Sequence, residues 1–212
     1  MLVGATGLIG SHLLGLLLRS ERYDCVIVAA RQAMPVTCRE YARSGRLVWQ
    51  SFSDDLSRNV DDFFCALGTT QKVSGKAGLE WVDHDLVVQS ATRAVGAGAS
   101  LVSVVSAHGA SSDSLFFYSR VKGNMEQDVQ ALKASSTHFW QPSVLLGNRG
   151  EFRLGEALAG LLLRWPFPLN ARARAGSAVA SAMLAAAAVA KPGCFRYKVS
   201  DIDNFNQGEV HD

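Results

Sequence analysis

The chain has 212 residues, 48% of them hydrophobic and 19% charged, so it is long enough for one sizeable core and short for two. Its 21 basic and 19 acidic residues are spread along the sequence, which predicts no cationic face for nucleic acid. Scattered cysteines, no basic leader and no apolar run near the roughly 20 residues that cross a bilayer indicate a cytoplasmic protein without a membrane segment.

A glycine-rich loop follows the first apolar stretch of the chain, "MLV". In a Gly-x-x-Gly-x-x-Gly spacing, the first glycine allows a tight turn, the second lets the backbone approach a pyrophosphate, and the third lets the helix pack closely on the sheet. The loop opens a strand–helix–strand unit that ends in "CVIVAAR", which favours dinucleotide binding over glycines that serve packing alone. The predicted phosphate-binding residues are Gly4, Thr6, Gly7, Leu8, Ile9 and Gly10.

The first strand is short, because only Met1, Leu2 and Val3 precede the loop, whereas such strands usually run about five or six residues. We expect that the chain begins a few residues late. Three residues can still pair with neighbouring strands, so we expect the loop to keep its shape.

The second strand ends at Arg31, where a site for NAD usually has Asp or Glu to bind the ribose 2′-hydroxyl. A guanidinium can instead bind a 2′-phosphate through charge-assisted hydrogen bonds. This position therefore predicts NADP(H) rather than NAD(H), with an ordinary solvated strand-end residue as the alternative.

Apolar strands and amphipathic helices continue to alternate, and strands without a polar face are covered on both sides. The pattern predicts an α/β fold with a doubly wound parallel sheet. A segment of the fourth strand, "FFCALGTT", ends at the sheet edge where ligands bind, so Leu67, Gly68 and Thr69 are predicted to line the cofactor. A plain strand-to-loop turn explains these residues equally well.

The helix "YSRVKGNMEQDVQAL" places Tyr118 and Lys122 four residues apart, one helical turn from each other. A nearby ammonium favours the phenolate and lowers the pKa of a tyrosine, which would let Tyr118 exchange a proton with a carbonyl or alcohol. Such a pair is common on surface helices, and it gains meaning here from the preceding glycine loop.

In order along the chain, "GATGLIG", "FFCALGTT", "VVSAHGA", "YSRVKGNMEQ" and "QPSVLLGNR" resemble an atypical short-chain dehydrogenase/reductase. These motifs resemble in particular the small Tat-interactive-protein-like oxidoreductases and their bacterial relatives. It implies a single NAD(P)-binding domain over 1–212, with a Rossmann-type core at 1–147 and a small capping region at 148–212.

The same resemblance implies an NADP(H)-dependent oxidoreductase that moves hydride to or from a small carbonyl or alcohol. Tyr118 would be the general acid/base and Lys122 its partner, which also binds the cofactor. Pro142 and Val144 would border the nicotinamide. Ser106 would bind the substrate oxygen, with a structural serine at the strand end as the alternative.

A second function stays open, that of an NADP(H)-binding redox sensor or regulator with little catalysis. The uncertain place of the serine and the small capping region favour it. No histidine has ligand-like spacing, so no metal site is predicted. The expected partners are a small-molecule substrate and, with less support from the sequence, a second copy of the chain.

Overall fold

The computed structural model describes residues 1–56, 58–142, 145–146 and 174–208, and within them seven parallel strands form one sheet. The strands of the described chain are β1 Leu2–Val3, β2 Val26–Ala29, β3 Leu47–Gln50, β4 Asp62–Cys65, β5 Leu101–Val105, β6 Ser136–Trp140, β7 Leu145–Leu146, β8 Arg174–Ala175 and β9 Gly193–Tyr197. The order in the main sheet is β3-β2-β1-β4-β5-β6-β9, while β7 pairs with β8 apart from it. This arrangement confirms the predicted doubly wound α/β fold.

Helices cover the sheet on both faces. They are α1 Leu8–Arg19, α2 Arg39–Arg43, α3 Gln71–Glu80, α4 Leu86–Gly96, α5 Phe117–Ala131, α6 Gly176–Ala188 and α7 Val199–Gln207, with a π-helical turn at Trp81–Asp85 between α3 and α4. None of the helices described is long and apolar enough to pass through a membrane.

The two faces of the sheet bury two separate apolar clusters. Alternate strand residues face opposite ways, so Leu2 and Phe64 pack with α1 and α6, whereas Val3 and Phe63 pack with α4 and α5. Because both faces are covered, the central strands are mostly apolar on both sides, which is why the sequence shows no period-two alternation.

The short first strand is paired on both sides. Leu2 and Val3 lie in register with Val28 and Ala29 of β2 and with the end of β4. The strand order reverses between β1 and β4, and in such sheets the ligand crevice lies at the carboxyl ends of the strands at this point. The predicted glycine loop leaves the sheet at this position.

The chain between β4 and β5 is helical but does not form one regular helix. The helical stretch starts at Gln71, is interrupted at Gly75 (φ 69°), and passes through the π-helical turn before α4. At the C-terminal end β9 pairs with β6, and the chain then forms α7, a helix that was not predicted. Of the predicted capping region at 148–212, residues 148–173 and 209–212 lie outside the described part of the chain.

Candidate active site

The glycine loop is shaped by close backbone contacts. Gly4 has a φ of +80°, and a Cβ on it would lie 2.5 Å from the carbonyl carbon of Ala66. A Cβ on Gly10 would collide with the carbonyl oxygen of Gly4. Only glycine fits either position, because the turn needs a left-handed residue and α1 begins directly against it.

The N-terminus of α1 is left open by the same loop. Its N-cap residue is Gly7, and no side chain in the described part of the chain caps its amides. Thr6 and Leu8 are exposed, whereas the side chain of Ile9 is buried in the core, so Ile9 can offer only its backbone. Free amides beside a glycine turn fit a pyrophosphate, since the helix dipole favours an anion there.

The loop after β4 lies beside the glycine loop and is fixed by one hydrogen bond. The amide of Thr69 donates to Oδ2 of Asp83 over 2.8 Å, and Gly68 is exposed next to the same carboxylate. Leu67 is half-buried and packs against the core beneath. The structure therefore brings the three predicted residues of this loop to the switch-point crevice.

Lys122 of α5 reaches Asp83 from the opposite side. Its Nζ lies 2.7 Å from Oδ1 of Asp83, and the side chains are 2% and 0% exposed. Nζ also donates to the carbonyl of Val105, at the end of β5, over 3.4 Å. A fully buried ammonium is rare without a partner, so Asp83 is the group that makes this position possible.

The pair changes the expected electrostatics of Tyr118. Burial alone would lower the pKa of Lys122, but Asp83 and the phenol raise it, so the ammonium stays protonated. Burial raises the pKa of Tyr118, Lys122 lowers it and Asp83 raises it, and the sum is a raised pKa. The pKa of Tyr118 is therefore raised rather than lowered as predicted, first because the phenol is buried and then because Asp83 opposes the effect of Lys122.

The segment after β5 is fastened to α5, and this holds Tyr118 in place. The amide of Ser111 donates to the carbonyl of Ser119 over 3.0 Å, and Nη1 of Arg120 donates to the carbonyl of Ser114 over 2.7 Å. A Cβ on Gly123 would overlap the backbone of Ser111, so glycine is needed for this close approach.

Ser106 points into a different polar cluster. Its hydroxyl donates to Oε1 of Glu126 over 2.6 Å, and Nε2 of Gln141 donates to the same oxygen over 2.9 Å. Nε of Arg196 donates to the other carboxylate oxygen over 2.8 Å. Ser106 is buried, with 4% of its surface exposed. Its hydroxyl hydrogen is used in the bond to the carboxylate of Glu126.

The remaining predicted residues are less tightly placed. Arg31 is exposed and lies two residues beyond the end of β2. Pro142 is buried, and its carbonyl accepts the amide of His108 over 3.2 Å. Val144 lies outside the described residues.

Asp83 was missed by the sequence reasoning, although a signal for it exists. It stands four residues after Leu79 and four before Val87, two core residues, so a carboxylate interrupts an apolar helical stripe. A charge at such a position needs a buried counter-charge, and Lys122 is a lysine one turn from the predicted tyrosine.

Comparison with solved structures supports the fold. MoeE5 in complex with UDP-glucose and NAD matches with a TM-score of 0.66 and 19% identity, over 93% of this chain and 74% of that one. A carbonyl reductase from Pseudomonas aeruginosa matches with a TM-score of 0.59 and 17% identity, over 95% and 96%. The fold is thus the Rossmann-like fold of short-chain dehydrogenases/reductases.

The prediction of NADP(H) over NAD(H) is contradicted by these structures, since MoeE5 and the dTDP-glucose 4,6-dehydratase DesIV of Streptomyces venezuelae are described with NAD. The prediction relied on Arg31 alone. The side chain of Arg31 is exposed beyond the strand end, where an arginine can simply be solvated. An arginine at this position therefore does not require a 2′-phosphate.

No family profile matches the chain. Curated relatives do: "Protein fmp52, mitochondrial" of Aspergillus clavatus is 31% identical over 196 residues, which are 89% of this chain and 84% of the relative. The protein of the same name from Aspergillus fumigatus is 34% identical over 164 residues, 74% of this chain and 70% of that one. These names contradict the expectation of a cytoplasmic protein, which rested on composition and carried no information about organelles. With most of both sequences aligned at this identity, the chain belongs to the FMP52 family.

Proposed function

We propose that this protein is an NAD(H)-dependent oxidoreductase that moves hydride to or from a small carbonyl or alcohol, with Tyr118 as general acid/base. The observation that carries the proposal is the buried pair of Lys122 and Asp83. It lies one turn from Tyr118, and its carboxylate also holds the loop after β4 at the switch point.

The binding half of the proposal uses the two loops at the crevice. The open amides of α1 behind Gly7 would hold the pyrophosphate, and the loop with Gly68 and Thr69 would border the rest of the dinucleotide. NAD(H) is proposed because structures of the same fold are described with NAD.

The chemical half uses the phenol of Tyr118. When bound, the nicotinamide supplies or accepts the hydride. In the direction of reduction the phenol gives its proton to the substrate oxygen as hydride reaches the carbonyl carbon, and solvent later returns a proton to the phenolate. A raised pKa keeps Tyr118 protonated at neutral pH, which suits reduction. Lys122 then steadies the phenolate that forms.

Ser106 keeps its proposed role as a partner of the substrate oxygen only if its hydroxyl leaves Glu126. We expect Ser106→Ala to raise KM or lower kcat if that exchange occurs. A variant with unchanged kinetics would assign the serine to the Glu126 cluster alone.

The binding test is a parallel titration with NADH and NADPH followed by nicotinamide fluorescence. We expect clear binding of NADH. Failure of both to bind would remove the proposal.

The catalytic test compares Tyr118→Phe with Tyr41→Phe, a half-buried tyrosine on α2. With any carbonyl that the protein reduces, Tyr118→Phe should lower kcat at least about 100-fold while leaving NADH binding intact. Tyr41→Phe should leave kcat unchanged. Equal rates in the wild type and Tyr118→Phe would contradict the mechanism.

A second candidate is a dinucleotide-binding regulator with little turnover. The observation that favours it is the hydroxyl of Ser106, which is already engaged with Glu126. Such a protein would bind NADH in the first titration, reduce none of a broad carbonyl panel, and bind a partner with an affinity that depends on NADH.

Three finer proposals stand beside this one. Membership of the Tat-interactive-protein-like branch and formation of a homo-oligomer stay predictions. A mitochondrial location follows the names of the FMP52 relatives. It can be checked by expressing the chain with a C-terminal fluorescent protein in yeast beside a mitochondrial marker, where a diffuse cytosolic signal would contradict it.

A further inference from the structure

Asp83 contacts two parts of the site at once. Its Oδ1 lies 2.7 Å from Nζ of Lys122, and its Oδ2 accepts the amide of Thr69 over 2.8 Å. The aspartate comes from the π-helical turn at Trp81–Asp85, the lysine from α5 and the threonine from the loop after β4. One carboxylate therefore joins three segments that are far apart in the sequence.

The carboxylate of Asp83 is enclosed by protein. The residue is 0% exposed, so its oxygens face other groups of the described chain and not solvent. A π-helical turn inserts one extra residue into the helix, which changes the direction of the side chains that follow it. Such turns are concentrated at functional sites, and here the turn carries the acid that faces Lys122.

We propose that Asp83 is a positioning residue of the reaction, which fixes the ammonium of Lys122 to the cofactor-side loop and offsets its positive charge beside Tyr118. The inference rests on the proposed function for the meaning of Tyr118. The pairing itself is independent of any substrate, so it can be tested without turnover.

Besides burial, which raises the pKa of the phenol most, two charged groups shift the pKa of Tyr118. Lys122 of the same helix favours the phenolate, and Asp83 across from it favours the neutral phenol. Cys65 of β4 faces the pair, but burial raises the pKa of its thiol to about 12, so it stays neutral at lower pH. Removing only the negative charge of Asp83 should therefore leave the ammonium to stabilise the phenolate.

The decisive variant is Asp83→Asn, whose amide oxygen can still accept from Thr69. The readout is the ultraviolet absorbance of tyrosinate against pH in protein without cofactor, with the titration of the matched Tyr118→Phe variant subtracted. We expect the pKa of Tyr118 to fall by about 1–2 units in Asp83→Asn. Asp128→Asn, which removes a half-exposed carboxylate from α5, should leave it within about half a unit. An unchanged pKa in Asp83→Asn overturns the proposal.

A second variant covers the case in which Asp83→Asn does not fold. The double variant Asp83→Leu with Lys122→Met removes both charges and leaves no unpaired ion in the core. Since the two charges act on the phenol in opposite senses, its pKa should move by less than about one unit. A larger rise would mean that Asp83 does not offset the charge of Lys122, which also overturns the proposal.

The pH profile of carbonyl reduction separates a positioning role from a purely structural one. In Asp83→Asn the alkaline limb should move to lower pH by the same amount as the phenol titration, because Tyr118 must be protonated to donate. NADH affinity should stay within about threefold, since the bond to Thr69 is kept. If wild-type protein bound no NADH, the proposed function would fail, whereas the phenol titration would still decide whether Asp83 offsets Lys122.

Discussion

Two charged side chains of α5, Lys122 and Glu126, are buried one helical turn apart and are used in opposite ways. Lys122 pairs with Asp83, and both members are sealed from solvent, with side-chain exposures of 2% and 0%. Glu126 pairs with Arg196, whose side chain is 42% exposed. The first pair is enclosed with its hydrogen-bond partners inside the protein, and the second belongs to a cluster that reaches the surface.

The two ion pairs differ in how much desolvation free energy their burial costs. A sealed ion pair gains little over an apolar pair because both ions lose their water, so its persistence indicates a use for the charge. The Glu126 cluster ties the ends of β5 and β6 to β9 through Ser106, Gln141 and Arg196. These hydrogen bonds hold α5 against the three strands. Because the side chain of Arg196 is 42% exposed, this cluster loses less solvation than the pair of Lys122 and Asp83.

The largest expected effect comes from breaking the sealed pair. Lys122→Met leaves the carboxylate of Asp83 buried without a counter-charge, so we expect the free energy of unfolding to fall by about 3–5 kcal/mol. Adding Asp83→Leu should recover most of that loss, since the second ion is then gone as well. Urea denaturation of the two single variants and the double variant measures this as a double-mutant cycle. A loss below about 1 kcal/mol in Lys122→Met would show that water reaches the pair.

Much of the fold follows from the sequence because each element satisfies a local rule. Apolar runs such as β4 and β5 have no polar face, which requires cover on both sides and hence a doubly wound sheet. The spacing of Gly4, Gly7 and Gly10 predicts a tight turn into a helix, and the contacts of Gly4 with Ala66 show the crowding that requires it. Tyr118 and Lys122 share a face because helical geometry alone places them there.

The parts that could not be predicted depend on contacts between distant segments. A regular helix through Trp81–Asp85 has a fixed rotation per residue, and the π-helical turn changes it. Asp83 could therefore not be assigned to Lys122 from spacing. The direction of the pKa shift of Tyr118 was missed mainly because its largest cause is burial of the phenol in the folded chain. Likewise Ser106 was identified at a strand end, but its bond to Glu126 depends on how α5 crosses β5.

A smaller effect is expected from the half-exposed cluster. Glu126→Gln keeps an oxygen for Ser106 and Gln141 but removes the charge that faces Arg196, which water can then solvate. We expect a loss of about 1–2 kcal/mol in the free energy of unfolding, clearly less than for Lys122→Met. Glu80→Gln, at an exposed position of α3, serves as the control and should change nothing. A loss as large as that of Lys122→Met would mean that the two clusters are equally sealed.

The smallest expected effect comes from His84, a partly exposed residue next to Asp83 in the sequence. His84 places Nδ1 2.7 Å from Asp85 and Nε2 2.8 Å from Asp128, so both ring nitrogens face carboxylates, and both can donate at once only when the ring is protonated. Burial lowers the pKa of His84, but the two carboxylates raise it above the ordinary value of 6.5 overall.

The stabilisation by His84 should therefore be complete below the pKa of the unfolded chain and disappear as the pH rises through the raised pKa of the folded state. We expect His84→Gln to lose about 0.5 kcal/mol at pH 6 and nothing measurable at pH 9, since Asp85 and Asp128 are 42% and 56% exposed and water screens them. His12→Gln, at an exposed position of α1, should show no such difference between the two pH values. Urea denaturation at both pH values measures the effect. An equal loss at pH 6 and pH 9 would show that His84 stabilises the fold by packing and not by charge. The charges of this helical turn would then act only through the buried pair of Asp83 and Lys122.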